Sequence, residues 1–197
     1  MQMRQMLIPM KMKNNLHRNH PLKHPDQRVG VFIDVQNMYY SAKNLFGKKV
    51  NFGNIVKEAV AGRKLIRAIA YVVRTESKEE QPFFEALYNL GIETHEKDLQ
   101  IFNTGMKKAD WDVGLAVDAI RLSPSLDAIV IVSGDGDYLP LVDYLQSMGK
   151  QVEVVAFGET ASGKMKEEAD DFIDLSEDKS KFLIGDGMLG GRRNVKR

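Results

Sequence analysis

The run DAIVIVS, residues 127–133, carries an unbroken apolar stretch from Ala128 to Val132. Successive side chains of a strand point to opposite faces, so a run that is apolar at every position is a strand covered on both sides. VGVFIDV (29–35), LIRAIAYVV (65–73) and QVEVVAF (151–157) have the same character, and IETHEKD (92–98) is a weaker version of it. Between these runs lie NMYYSAKNLFG, NFGNIVKEAVAG, SKEEQPFFEALYNLG (77–91), DWDVGLAVDAIRL (110–122) and YLPLVDYLQSMG (138–149). Their apolar residues recur at helical spacing and several end on glycine, a helix stop. GKMKEEADDF adds a last helix before FIDL. Strands alternating with helices fold as βαβ units, which predicts an α/β domain with a mainly parallel, helix-covered sheet.

A chain of 197 residues suits one well-buried domain with tails. Residues 1–28 hold Arg4, Lys11, Lys13, Arg18, Lys23 and Arg28 against the single acid Asp26, and read as a basic, disordered arm. Residues 177–197 repeat the pattern around the cluster GMLGG and read as a flexible basic tail, leaving 29–176 as the folded domain. The chain as a whole is balanced, 28 basic against 27 acidic residues, so net charge names no partner. The absence of cysteine excludes disulfides, thiolate metal sites and Cys nucleophiles, and is compatible with a reducing compartment. No apolar stretch approaches the ~20 residues of a membrane helix. MLIPM is too short for a signal segment and is broken by Pro9, so the expectation is a cytoplasmic protein with no membrane partner.

In open α/β sheets, sites form beyond the carboxyl ends of the strands, where the strand order reverses. Asp34 closes the first strand, Asp135 and Asp137 follow the 127–133 strand in VSGDGDY, and Asp112 lies in the first turn of the preceding helix. If the 29–35 and 127–133 strands are neighbours, these acids converge on one cleft. The serine and glycines of VSGDGDY then turn the chain sharply at the strand end. Taken singly, Asp135 or Asp137 also suits a turn or the N-cap of the helix starting near Tyr138, and Asp110 suits the cap of its own helix. Asp112 has apolar Leu115 and Ala116 at i+3 and i+4, which places it on a packed face. Asp118 lies well round that helix, in a supporting position at best. Asp34 is the hardest to explain as structure, because an acid ending a buried strand is costly unless a cation or donor pairs with it.

Carboxylates forced together raise one another's pKa, and such a group persists when something cationic fills it. Oxygen ligands without cysteine or nearby ordered histidine indicate Mg²⁺ or Mn²⁺ rather than Zn²⁺. A calcium loop fits poorly, since the twelfth position from Asp135 is Gln146. Carboxylates around a hard cation make a site for phosphoryl transfer or phosphodiester hydrolysis.

These residues resemble a family. VFIDVQN, KKADWDVGLAVDAI and IVIVSGDGDYLPLV followed by GKQVEVVAF look like the NYN domain, in its LabA-like branch, a relative of the PIN-like nucleases. ADDFIDL is similar to the family's closing segment, and the resemblance covers roughly 29–175. It implies a PIN-like, three-layer α/β/α sandwich and divalent-metal-dependent cleavage of RNA. Carried onto this chain, it makes Asp34 the first metal ligand and Asn37 an amide that orients a ligand or substrate oxygen. Asp112 matches the acid of the helix motif and Asp135 the acid after SG. Asp137 becomes a water-mediated ligand, and Ser133 a hydroxyl that holds the turn or a phosphate.

Other signals compete. GETASGKM nearly spells a phosphate-binding loop, yet Met165 stands where a Ser or Thr would hold Mg²⁺, and a loop offering Lys164 to a phosphate is the better reading. His17, His20 and His24 have metal-compatible spacing but lie in the expected arm. Trp111 and Tyr138 flank the acids, where aromatic rings either pack in the core or stack on bases. Lys107 and Lys108, before the DWD helix, are placed to meet phosphates or to be a solvated loop. The basic tails would supply attraction to nucleic acid that an acidic cleft lacks.

The combined expectation is an Mg²⁺- or Mn²⁺-dependent ribonuclease acting on single-stranded RNA, with self-association left open. Asp34, Asn37, Asp112 and Asp135 are the catalytic group, Asp137 joins Asp34, Asp112 and Asp135 around the metal, and Ser133, Lys107 and Lys108 meet substrate. A non-catalytic RNA-binding or regulatory adaptor and a small-molecule phosphohydrolase are the alternatives.

Overall fold

The computed structural model describes residues 22–74, 81–98, 100–101, 107–108 and 111–185. Six strands form the main sheet: β1 (Arg28–Asp34), β2 (Lys64–Arg74), β3 (Glu93–Asp98), β4 (Ala128–Val132), β5 (Gln151–Ala156) and β6 (Asp171–Asp174). Their order is β3-β2-β1-β4-β5-β6, and every neighbouring pair is parallel. The chain builds outward from β1 in one direction and then from β4 in the other. The order therefore reverses between β1 and β4, and the crevice at their carboxyl ends is where such sheets place ligands.

Helices cover both faces. α1 (Val35–Phe46), α2 (Phe52–Val60) and α3 (Gln81–Asn89) pack on one side, where Met38, Ile55 and Leu87 meet Val29, Val31 and Ile33. α4 (Asp112–Leu122), α5 (Leu139–Ser147) and α6 (Gly163–Glu168) pack on the other, where Leu115, Leu145 and Met165 meet Phe32, Ile129 and Ile131. This is the expected three-layer α/β/α sandwich, and β4 is fully buried along its length. Each large side chain so buried contributes roughly 1.5–3 kcal/mol.

Several boundaries differ from the sequence pattern, each for a local reason. The first strand stops at Asp34, whose side chain caps α1, so Val35 opens the helix and does not close the strand. α6 ends at Glu168, and DFID becomes the edge strand β6, in register with Glu153–Ala156. Two pieces outside 29–176 also take part in the fold. Lys23 pairs with Glu153 at 3.3 Å and Asp171 at 2.9 Å. Beyond 176, a short helix α7 (Lys179–Phe182) buries Phe182, and Leu183–Ile184 pairs antiparallel with Lys49–Val50. Charge counting missed both, because their lysines meet acids of the domain and Phe182 and Leu183 join its core. Among the described residues, no helix is long and apolar enough to cross a membrane.

Candidate metal centre

Parallel pairing of β1 with β4 sets Ile33 opposite Val132, so Asp34 and Ser133 leave the sheet side by side. Asp34 is held by protein donors on both oxygens. Its Oδ1 accepts the Asn37 N–H at 3.0 Å and its Oδ2 accepts the Ser133 hydroxyl at 3.2 Å. The Ser133 oxygen in turn accepts the Asp135 N–H at 3.2 Å, and the Asn37 side-chain oxygen accepts the Gly134 N–H at 3.1 Å. The β1 and β4 turns are thus tied together by reciprocal hydrogen bonds.

Asp135, not Asp137, is the cap of the next element. Its Oδ1 accepts the Asp137 N–H at 3.0 Å, starting a single 3₁₀ turn over Gly136–Tyr138 that runs into α5. Neither Gly134 nor Gly136 has positive φ. What they supply is close approach: a Cβ on Gly134 would sit 2.9 Å from the Ala161 Cα, and one on Gly136 3.0 Å from the Ser162 Oγ. The loop after β5 lies directly on this turn, with the Ser162 N–H donating to the Gly134 carbonyl at 2.9 Å and Thr160 Oγ1 3.0 Å from Ser41 Oγ.

Tyr138 is 2 % exposed, and its hydroxyl donates to Asp112 Oδ1 at 2.9 Å while lying 3.5 Å from Asp34 Oδ2. Burial first, then the charges of Asp34 and Asp112, hold its pKa far above the ordinary phenol value. The hydroxyl therefore stays protonated and spans two carboxylates. Asp34 is pushed up to about 6, chiefly by burial and further by Asp112 and Asp135, against the lowering effect of the Asn37 and Ser133 donors. Burial, with the neighbouring carboxylates adding to it, makes one acid of the pocket resist ionisation.

Asp112, Asp135 and Asp137 each present an oxygen, all within 4.8 Å of one another. Asp112 and Asp135 are half-buried and Asp137 is exposed. Three of the four expected acids are brought together, and Asp34, not among the three, is linked to Asp112 through the Tyr138 hydroxyl. Asp34, Asp112 and Asp135 border a cleft of about 330 Å³ together with Gln36, Asn37, Tyr40, Ser41, Asn44, Tyr71, Val73, Trp111 and Thr160. Oxygen donors at this spacing, with a neighbour already reluctant to ionise, suit a hard divalent cation.

Other expected residues fall differently. Ser133 is 0 % exposed and its hydroxyl is engaged with Asp34 and Asp135, which holds the turn. The backbone of Lys107 and Lys108 pairs antiparallel with Gln100 and Ile101. Asp110, His17 and His20 lie outside the described residues. Trp111 occupies the cap position of α4 and makes no side-chain cap, its indole N–H donating instead to the Val72 carbonyl at 2.9 Å. Asp118 faces away from the cluster, accepting the Tyr71 hydroxyl at 3.1 Å and pairing with His95 Nδ1 at 3.0 Å. Lys164 is exposed in the first turn of α6. Residue reasoning missed Tyr138 as the hydroxyl between the acids; its place directly after GDGD was the available signal.

The NYN domain family model matches residues 28–177. The chain is 24% identical over 162 residues to the low amplitude and bright protein LabA of Synechococcus elongatus, covering 78% of this chain and 86% of that one. It is 28% identical over 160 residues to an uncharacterized protein of Methanocaldococcus jannaschii, a match spanning 78% of this chain and 57% of that protein. The crystal structure of a protein of unknown function from Vibrio parahaemolyticus aligns with a TM-score of 0.74 at 27% identity, covering 83% of this chain and 99% of that chain. With the family model spanning the whole sheet and the acid cluster at its switch point, the chain belongs to the NYN domain family, in its LabA-like branch, and has the α/β fold of the PIN-like nucleases.

Proposed function

We propose that the protein is a ribonuclease that hydrolyses RNA phosphodiester bonds with Mg²⁺ or Mn²⁺ held by Asp112, Asp135 and Asp137. One observation carries the reading: three aspartates, from the start of α4 and the turn after β4, bring their oxygens within 4.8 Å at the switch point of the sheet. The donor set is all oxygen, which favours hard cations over zinc. Half-buried Asp112 and Asp135 would hold the cation directly, and exposed Asp137 would hold it through a water.

When bound, such a cation supplies Lewis-acid polarisation of the phosphodiester and makes a coordinated water easier to deprotonate. The protein does the rest. Tyr138 fixes the orientation of Asp112, Ser133 and the Gly134 turn fix Asp135, and Asn37 ties the two turns together. Asp34 acts through Tyr138 and Ser133 as a positioning group. Lys107 and Lys108 meet the phosphate chain flanking the scissile bond.

The adaptor alternative is favoured by one feature, the commitment of both Asp34 oxygens to protein donors. End-labelled single-stranded RNA, structured RNA and DNA, with p-nitrophenyl phosphate beside them, incubated in Mg²⁺, Mn²⁺ or EDTA separate the readings. Metal-dependent RNA cleavage that disappears in Asp135→Asn supports the ribonuclease. Salt-sensitive RNA binding indifferent to EDTA, without cleavage in either metal, supports the adaptor.

A further inference from the structure

The cleft has two chemically different halves. At one end stand Asp34, Asp112 and Asp135. The rest is neutral: Gln36, Asn37, Tyr40, Ser41 and Asn44 from one face of α1, Thr160 from the loop after β5, and Tyr71, Val73 and Trp111 on the opposite side. Among the described residues, no lysine, arginine or histidine lines it. The neutral half therefore offers amide and hydroxyl hydrogen bonds and aromatic surface, which is the chemistry of a nucleobase and ribose rather than of a phosphate.

Trp111 is built as a fixed platform. Its N–H is anchored on the Val72 carbonyl at 2.9 Å, and its six-membered ring lies so close to Gly114 that a Cβ there would come within 2.5 Å of it. Tyr71 packs on it at 5.6 Å between ring centroids. The ring is thus held in place, with the Lys97 Nζ 5.8 Å from its centroid at the margin of the cleft, and it precedes Asp112 in the chain. Tyr40, 50 % exposed, presents a second aromatic ring from α1. A volume of about 330 Å³ is at the small end of the ~300–1,000 Å³ range of ligand pockets, room for one nucleotide and not for a duplex.

We infer that the neutral half of the cleft is a subsite for a single unpaired nucleobase of an RNA chain, stacked on Trp111 and read by the amides of α1, with Tyr40 on the opposite side. The inference rests on the ribonuclease reading for the identity of the polymer, and it deepens that reading: the strand is single because a base on Trp111 has left its own stack. The phosphate attached to that nucleotide is delivered to the carboxylate end. Gln36, Asn37 and Asn44, with donors and acceptors on each amide, discriminate among bases by their edges.

The chain has one tryptophan, so its emission reports on this subsite alone. Adenosine, guanosine, cytidine and uridine, with ribose as the control, are titrated in EDTA, where cleavage plays no part. A phosphorothioate trinucleotide is titrated in Mg²⁺, by emission and by the anisotropy of a label. The expected result is saturable quenching by nucleosides, differing in strength among the four bases, with no response to ribose, and at least ~10-fold tighter binding of the trinucleotide than of any nucleoside. Trp111→Leu weakens trinucleotide binding by ~5- to 100-fold and Trp111→Phe restores most of it. Tyr40→Ala, which keeps the reporter, weakens it less. Quenching by ribose equal to that by nucleosides, no quenching by any nucleoside, or a trinucleotide no tighter than a nucleoside overturns the inference. RNA cleavage without base-dependent quenching removes this subsite and leaves the ribonuclease reading; quenching without cleavage in either metal does the reverse.

Discussion

The two ends of the central sheet both gather carboxylates, and they neutralise them in opposite ways. At the amino end, Glu153 is 0 % exposed and is gripped by the Arg63 guanidinium through two hydrogen bonds, at 2.5 and 2.9 Å, with Lys23 beside it on Asp171. Arg28 makes a paired contact with Asp127 next to it, and holds that carboxyl down to about 2. At the carboxyl end, Asp34 accepts from the Ser133 hydroxyl and a backbone N–H, Asp135 from a backbone N–H, and Asp112 counts the Tyr138 hydroxyl among its partners. Guanidinium and ammonium groups complete a charge permanently, whereas neutral donors orient a carboxylate and leave its charge for something that binds. One end is closed by ion pairs, and the other, on the proposed function, would take a cation.

The largest effect that separates the ends is on cleavage. Asp112→Asn or Asp135→Asn lowers metal-dependent RNA cleavage by at least ~100-fold, since even supporting partners of metal ligands are worth 10–100-fold, while the far-UV spectrum is unchanged. Arg63→Met removes both guanidinium bonds from buried Glu153, leaves it only Lys23 and Gln151, and costs up to about 3–5 kcal/mol of stability by denaturant titration. An Arg63→Met protein that cleaves poorly only above its lowered melting temperature keeps the two ends distinct; one that folds normally but is inactive merges them.

Asp34→Asn has the opposite sign without metal. The folded pKa of Asp34, about 6, is above its unfolded value, so its favourable contribution is complete below about pH 4 and disappears as the pH rises through 6. At pH 7 the substitution relieves a buried charge and stabilises the metal-free protein by about 1–3 kcal/mol, and this difference vanishes at pH 4. Urea titrations of both proteins at the two pH values measure it. A constant difference across that range contradicts the charge-strain explanation. The smallest effect is at Lys23, whose replacement by alanine leaves Arg63 on Glu153 and costs no more than ~1 kcal/mol, with cleavage unchanged.

Much of this was legible in residue order. The both-faces apolar runs gave the parallel sheet, and the carboxylates after them marked the switch point, because both signals are local in sequence. What was not legible depends on contacts between distant residues. Asp34 was the acid hardest to explain as structure, yet it caps α1 and receives Ser133 from 99 positions away. Tyr138 read as an aromatic beside the acids, but its role comes from reaching Asp112, 26 positions back. The glycines after β4 suggested a sharp turn, and their actual requirement is the loop from Thr160 to Ser162 lying on them. Lys23 and Phe182 belonged by composition to the tails, and only the tertiary fold gives them acids and a core to meet.

Titrating Mn²⁺ into the protein and following the loss of its free-ion electron paramagnetic resonance signal, beside the melting temperature, tests most directly whether the carboxyl end is arranged for a cation. The expected result is saturable binding by the wild type with a rise in melting temperature, both lost in Asp112→Asn and Asp135→Asn and both kept in Lys23→Ala. Equal Mn²⁺ binding by wild type and Asp135→Asn, or none by the wild type at neutral pH, would contradict it.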